Sequence, residues 1–319
     1  MYYIERIPMT NATFLAGSIA EPAPGETEWV SGAAITKGQE RIRSGLHRVF
    51  KAAADIASST VPPEEAPTVW QDMRPTRRHL PFGPNIKSNG LRVYQSIALT
   101  STTENLEYRL GMRYANAIAL YGLRGARWRV KVFDKPESSG GVLQVERTDT
   151  IKAPALGYWD YGFGQRIERD RILITGLPIF PNAEIRITVE GTEDQMRALS
   201  QCEVGKLQFL PGDWGGVLAG LSRTPRVISE SKQETDGTTT VAIYGNTYDM
   251  RGTVLLKGVR EDAALSQLRG LLLKGVAFAP TLAQGFNQSL NFGLLKSARV
   301  TRPDVKRSEV EIEIEGLPT

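Results

Sequence analysis

The clearest order along the chain is an alternation of apolar and polar residues. In ARWRVKVFD, Trp128, Val130 and Val132 alternate with Arg127, Arg129 and Lys131, a period of two that puts an apolar set on one face of a strand and a row of cations on the other. EIRITVEG repeats the pattern, with Ile185, Ile187 and Val189 facing inward and Glu184, Arg186, Thr188 and Glu190 facing out. EVEIEIEGL closes the chain in the same way, with Val310, Ile312 and Ile314 set between Glu309, Glu311, Glu313 and Glu315. RILITGLP precedes EIRITVEG, and LPIFPNA between them reads as a turn. Strands at this spacing, with no helical period between them, predict an antiparallel sandwich rather than a parallel sheet.

Before residue 91 the pattern breaks up. EPAPGE, SSTVPPEEAP and LPFGPN interrupt any long period, because proline removes a donor and glycine opens positive-φ turns. HRVFKAAADI fits either a helix starting near Gly45 or a strand running into an alanine-rich turn. KLQFLPGDWGG through LSRTP reads as a connector, and ETDGTTTVAIYGNTYDMRGTVLLKGV as two or three strands with Asp236-Gly237 and Gly245-Asn246 as turns. EDAALSQLRGLLLKG alone carries a helical stripe, Ala264, Leu265, Leu268, Leu271 and Leu272. Glu261 and Asp262 suit the positive end of the helix dipole and Lys274-Gly275 its C-terminus, which predicts a helix over about 261–274. The expected fold is mainly β and multi-domain. A small loop-rich N-terminal β module occupies 1–90, an antiparallel, jelly-roll-like β-sandwich 91–210, and an α+β unit 211–319.

Composition narrows the function classes. Over 319 residues, 41% apolar and 23% charged, the chain has the make-up of a folded globular protein. Its 39 basic and 35 acidic residues leave a net charge of +4 without the basic stripes that phosphate-backbone binding needs, so nucleic acid is not expected as a partner. MYYIERIPMT lacks the apolar core of a signal peptide, and no stretch approaches the ~18 apolar residues of a membrane span, so neither export nor membrane insertion is expected. Cys202 has no disulfide partner, and His47 and His79 are the only imidazoles, so the sequence shows no His/Cys metal-ligand set and no metal or other cofactor is expected.

Catalytic patterns are also missing. There is no G-x-S-x-G elbow, and the glycine clusters GYWDYGFGQ and WGGVLAG lack a P-loop lysine and a dinucleotide-binding context. The pairs Glu64-Glu65 and Glu261-Asp262 fall in a proline loop and at a helix start rather than in apolar pockets, so no catalytic residue is assigned and the chain is read as a non-enzyme. Aromatic residues are the stronger signal. Trp128 on its alternating strand belongs to a core. Tyr158, Trp159, Tyr161 and Phe163, crowded into GYWDYGFG, suit a partner or sugar contact in a loop. Arg127, Arg129 and Lys131 suit an acidic neighbouring subunit, although a solvated charged face needs no partner.

EWVSG, then KGQERIRSGLHRVFKA, a pair of prolines and PTVWQDMRPTRRHLPF resemble, in that order, an N-terminal module of tail-associated proteins of tailed bacteriophages and prophages. That module is loosely similar to short chitin-binding-type modules. YANAIALYGLRGARWRVKVFD resembles the strand pair that follows in those proteins, ILITGLPIFPNAEIRITVEG their closing sandwich hairpin, and SKQETDGTTTVAIYGNTYDMRGTV with the terminal EIEIEGL their C-terminal unit. Ile35 and Gly83 depart from the pattern, where the family carries an aromatic and an Asp, and this weakens the carry-over of sugar binding. The resemblance implies a structural virion protein in several copies, assembled in the host cytoplasm and located in the tail, with a place near its host-facing end. Docking to other tail proteins and ring-like self-association are expected, with Arg127, Arg129, Lys131 and an acidic edge strand carrying Glu311 and Glu313 as subunit contacts. The alternative is receptor recognition, in which Trp29, Trp70, Arg77, Arg78, Tyr158, Trp159 and Tyr161 meet a host glycan. For the cluster of His47, Arg48, Trp70, Arg77, Arg78 and His79, the reading from the residues is cation-on-aromatic packing that staples a small module.

Overall fold

The computed structural model describes residues 1–83, 85–86, 92–93, 99–101, 104–153, 155, 157–164, 168–192, 195–210, 221–233, 239–257, 261–272, 274–282, 289–302 and 307–317. The fold is mainly β, in several sheets, and every pairing between its strands is antiparallel.

Two sheets form the centre. A five-stranded sheet runs in the order Leu143–Thr150, Arg127–Phe133, Glu184–Glu190, Leu106–Gly111, Phe14–Gly17. A nine-stranded sheet runs Arg171–Thr175, Ala117–Tyr121, Gln201–Phe209, Tyr2–Arg6, Gly275–Ala279, Asn291–Thr301, Arg307–Gly316, Thr239–Lys257, Ser222–Gln233. The expected alternation places Val130, Val132, Ile185, Ile187, Val189, Leu106, Tyr108 and Leu110 on the inner face of the first sheet. They meet Ile118, Leu120, Ile172, Ile174, Cys202 and Val204 of the second in one buried core. This is the sandwich.

The nine-stranded sheet also curls. Ala117, Ala119 and Tyr121, on the face away from the sandwich core, join Ile4, Ala277, Ala279 and Phe292 from strands further along the same sheet, with the Tyr121 and Phe292 rings 5.8 Å apart. Ala117–Tyr121 is therefore buried on both faces, which is why AIALY is apolar throughout rather than alternating. The other half of the sheet is covered by a helix, Glu261–Leu271, whose Ala264, Leu268 and Leu271 pack on Val254, Leu256, Val310, Ile312 and Ile314. It ends three residues before the expected 274, because Leu272 bridges to Leu295 and Gly275 already opens the next strand.

The N-terminal module is smaller. A three-stranded sheet (Glu40–Arg43, Arg48–Ala52, Trp70–Pro75) and a two-stranded one (Ala33–Ile35, Ile56–Ser59) enclose Ile35, Phe50, Ala52 and Trp70. HRVFKA is thus a strand and not a helix.

Other sequence expectations change. Tyr2–Arg6 and Phe14–Gly17 leave the expected 1–90 module and pair into the two large sheets, Tyr2 opposite Phe209 and Tyr108 opposite Gly17. Tyr3 and Ile4 are buried on opposite faces, so this segment can only be an interior strand. Lys206–Phe209 and Ser222–Pro225, read as connector, belong to strands. Gly245-Asn246 is no turn: Thr239–Lys257 runs through it, with a register shift opposite at Ile228/Ser229. Asp236-Gly237 lies outside the described residues. The glutamate-rich strand Arg307–Gly316 is not an edge; it lies between Asn291–Thr301 and Thr239–Lys257. The edge on that side is Ser222–Gln233. Its hairpin partner pairs with Arg307–Gly316 from Met250 to Lys257 and, among the described residues, not before Met250, where Thr247, Tyr248 and Asp249 bond Leu317, Asn291 and Gly316 instead.

Candidate functional site

The two histidines meet. His47 occupies the turn between Glu40–Arg43 and Arg48–Ala52, in a left-handed backbone conformation at φ +56° that His tolerates better than most residues. His79 comes from the short 3-10 turn Arg77–Phe82. Their rings stack, centroids 3.7 Å apart and planes 22° apart, and Phe14 lies against the far side of His79 at 4.4 Å. Glu21, four residues beyond the strand Phe14–Gly17, reaches both: its Oε2 is 2.8 Å from His47 Nδ1 and 3.6 Å from His79 Nδ1, while the Thr76 hydroxyl donates to its Oε1 at 2.5 Å. The backbone N–H of Thr76 donates to the His47 carbonyl at 3.0 Å, which ties the same turn down.

Hydrogen bonding orders the protons. Asn11 Nδ2 donates to the Gly45 carbonyl, which turns Asn11 Oδ1 toward His47 Nε2 at 2.6 Å. Both nitrogens of His47 therefore face oxygens. His79 is different. Its Nδ1 lies 3.3 Å from the Thr76 hydroxyl, but its buried Nε2 has no partner among the described residues, and the residue is 6% exposed. Burial lowers the pKa of His79, and the charges of His47 and Arg78 lower it further against the pull of Glu21. Burial acts to raise Glu21, but the Thr76 hydroxyl and the two imidazoles outweigh it and hold the carboxyl down at about 2.

Glu21, His47 and His79 offer ligand atoms within 4.8 Å of one another, the donor types of a two-histidine, one-carboxylate metal centre. The ring geometry is wrong for one. A ligating lone pair lies in the plane of its own ring, and planes this close to parallel and face to face do not meet within the ~2.0–2.1 Å of a Zn–N bond. The carboxylate already bonds His47 directly. The group is a hydrogen-bonded cluster of two imidazoles and a carboxylate, and Glu21 and Asn11, which complete it, are loop residues far from both histidines along the chain.

The remaining candidates disperse. Trp70 is buried in the module core, which takes it off any contact surface. Trp29 is half-buried, with its indole N–H donating to Ser59 Oγ at 2.8 Å and Arg43 over its ring at 5.0 Å. The expected cation-on-aromatic packing occurs with other partners: Arg78 lies over Phe14 at 4.8 Å, Arg48 forks onto Asp72, and Arg77 is exposed. Arg129 pairs with Glu190 at 2.9 Å on its own sheet and Lys131 sits opposite Glu146, so the cation row that includes Arg127 is largely answered within the chain. Glu313 bonds Arg251 at 2.8 Å, whereas Glu311 is exposed on the same face.

GYWDYGFG forms a short helix, Tyr158–Phe163, rather than a loop. Its side chains stand in solvent: Tyr158 is 85%, Trp159 75%, Tyr161 71% and Phe163 78% exposed, and the Trp159 and Phe163 rings touch at 5.2 Å.

No family model, curated protein or solved structure matches this chain. The functional reading therefore stands on the geometry and on the sequence resemblance. No helix among the described residues is long and apolar enough to cross a membrane.

Proposed function

We propose that the chain is a structural component of a bacteriophage tail, near its host-facing end, that works by self-association and by docking onto neighbouring virion proteins. One observation carries this reading: the helix Tyr158–Phe163 holds four large aromatic side chains in water. Aromatic residues bury ~150–250 Å² each, so covering Tyr158, Trp159 and Phe163 removes on the order of 500 Å², over half of the ~800 Å² each partner contributes to a standard interface. An apolar patch of this kind marks a surface that is covered in the working state. The outer hairpin of Ser222–Gln233 and Thr239–Lys257 supports the same reading, since a two-stranded ribbon is marginal by itself and gains order on a neighbour. Within a closed ring each subunit's exposed face meets a different face of the next.

The same aromatic helix favours a second reading, recognition of a host glycan, because exposed aromatic rings flanked by tyrosine hydroxyls suit sugar faces. Electron imaging of the purified protein beside intact particles tests the first. A ring that matches density in the tail supports it, and a chain absent from particles contradicts it. Saturable binding to host envelope glycans, lost in Trp159→Ala, would favour recognition instead.

A further inference from the structure

We propose that Glu21, His47 and His79 form a proton-operated latch that holds the N-terminal module to the sandwich at neutral pH and loosens it on mild acidification. The three residues come from both sides of a seam. His47 belongs to the module, on the turn before Arg48–Ala52. His79 belongs to the sandwich side, because Leu80 and Phe82 of its turn lie in the sandwich core with Phe14 and Tyr108. Glu21 follows the strand Phe14–Gly17, and its one carboxylate serves His47 and Thr76 together and lies beside His79. Asn11, from the segment before that strand, grips the same turn through Gly45 and His47.

His79 is the buried member of the cluster whose protonation the fold opposes. Glu21 stays ionised at mildly acidic pH, since its carboxyl is held at about 2. His79 is buried and neutral, and a second proton has one place to go, Nε2, which has no acceptor among the described residues. The titratable and charged groups facing it are His47 across the stack, Arg78 on its own turn and Glu21; Phe14 and Tyr108 from the packed strands are uncharged at this pH. Protonated His79 would carry its charge buried against the His47 ring, with no acceptor at Nε2 among the described residues, beside a Glu21 carboxylate that already bonds His47 and Thr76. A base whose folded pKa is lowered supports the closed state fully above the ordinary histidine value of ~6.5 and withdraws that support as pH falls below it. The module's core is small, Ile35, Phe50, Ala52 and Trp70 with Ile42 and Val49 buried on its strands, so losing the seam frees it, while the sandwich is held by its own larger apolar core.

The test is hydrogen exchange of the whole chain at pH 7.5 and 5.5, corrected for intrinsic rates. Protection of Arg48–Ala52 and Trp70–Pro75 should fall by up to about tenfold, the limit for one linked proton over one pH unit below ~6.5, while Leu106–Gly111 and Glu184–Glu190 hold. His79→Phe keeps a ring in the stack but accepts no proton, and should abolish the fall. Unchanged protection at pH 5.5, an equal fall in His79→Phe, or a fall shared by the sandwich strands would overturn the proposal. Should that variant not fold, NMR titration of the His79 ring in the natural chain decides. Protonation in step with loss of protection supports the latch, and protonation without it contradicts it. Added Zn²⁺ that raises module protection at pH 7.5 would also overturn it, in favour of a metal site.

Discussion

The sandwich and the N-terminal module solve the same problem with different means. The sandwich closes two sheets over a continuous apolar core in which Leu106, Leu110, Val130, Ile185, Ile187 and Val189 are fully out of water. The module closes a smaller core of Ile35, Phe50, Ala52 and Trp70, with Ile42 and Val49 also buried on its strands, and surrounds it with polar pairs: Arg48 on Asp72, Arg43 on Glu64, Arg74 on Glu26, His47 on Glu21. Small domains expose more surface for the core they own, so the charged seam does there what area does in the sandwich. Apolar burial is indifferent to pH and strengthened by kosmotropic salts; ion pairs and imidazoles respond to both pH and ionic strength. The N-terminal module is thus the region whose order should respond more to the medium.

Mutations can break or sharpen this contrast. Trp70→Ala should cost about 3–5 kcal/mol, the range for truncating a buried aromatic, and remove exchange protection from the module while the sandwich strands keep theirs. One cooperative loss across the whole chain would erase the distinction. Leu110→Ala should cost about 2–5 kcal/mol in urea unfolding, at the sandwich and with the same cost at pH 7.5 and 5.5. Glu21→Gln should cost the module about 1–3 kcal/mol, because it removes the ionised acceptor from His47 and Thr76. The sign follows from a carboxyl held at about 2: its contribution is complete above the ordinary value of 4.5 and fades as pH falls toward 2, so natural chain and variant should converge in acid. Smallest is Glu190→Gln on the outer sandwich face, below about 1 kcal/mol and screened by salt, since Arg129 there is partly in water.

How far the sequence reached follows from the range of each interaction. Period-two patterning is local, so ARWRVKVFD, EIRITVEG and EVEIEIEGL read correctly as strands, although Glu184 and Thr188, expected to face out, are buried, Glu184 against Arg109. AIALY and YYIER were harder, because a strand buried on both faces loses its alternation. Sheet order depends on pairings such as Tyr2 with Phe209, which no local pattern encodes; hence the misplaced first strand and the supposed acidic edge. For the candidate site, the exposure of GYWDYGFG was legible from its crowding of aromatics. The histidine cluster was not, since it needs Asn11, Glu21, His47 and the Thr76–His79 segment brought together from four places along the chain.

The most direct measurement of the assembly role is sedimentation velocity over a range of protein concentrations, for the natural chain and for Trp159→Ala with Phe163→Ala. Both residues stand in solvent, so the variant should fold unchanged. The account predicts a discrete oligomer for the natural chain that dissociates in the variant. A natural chain that sediments as a monomer at every concentration, or an oligomer indifferent to the loss of both rings, would contradict it.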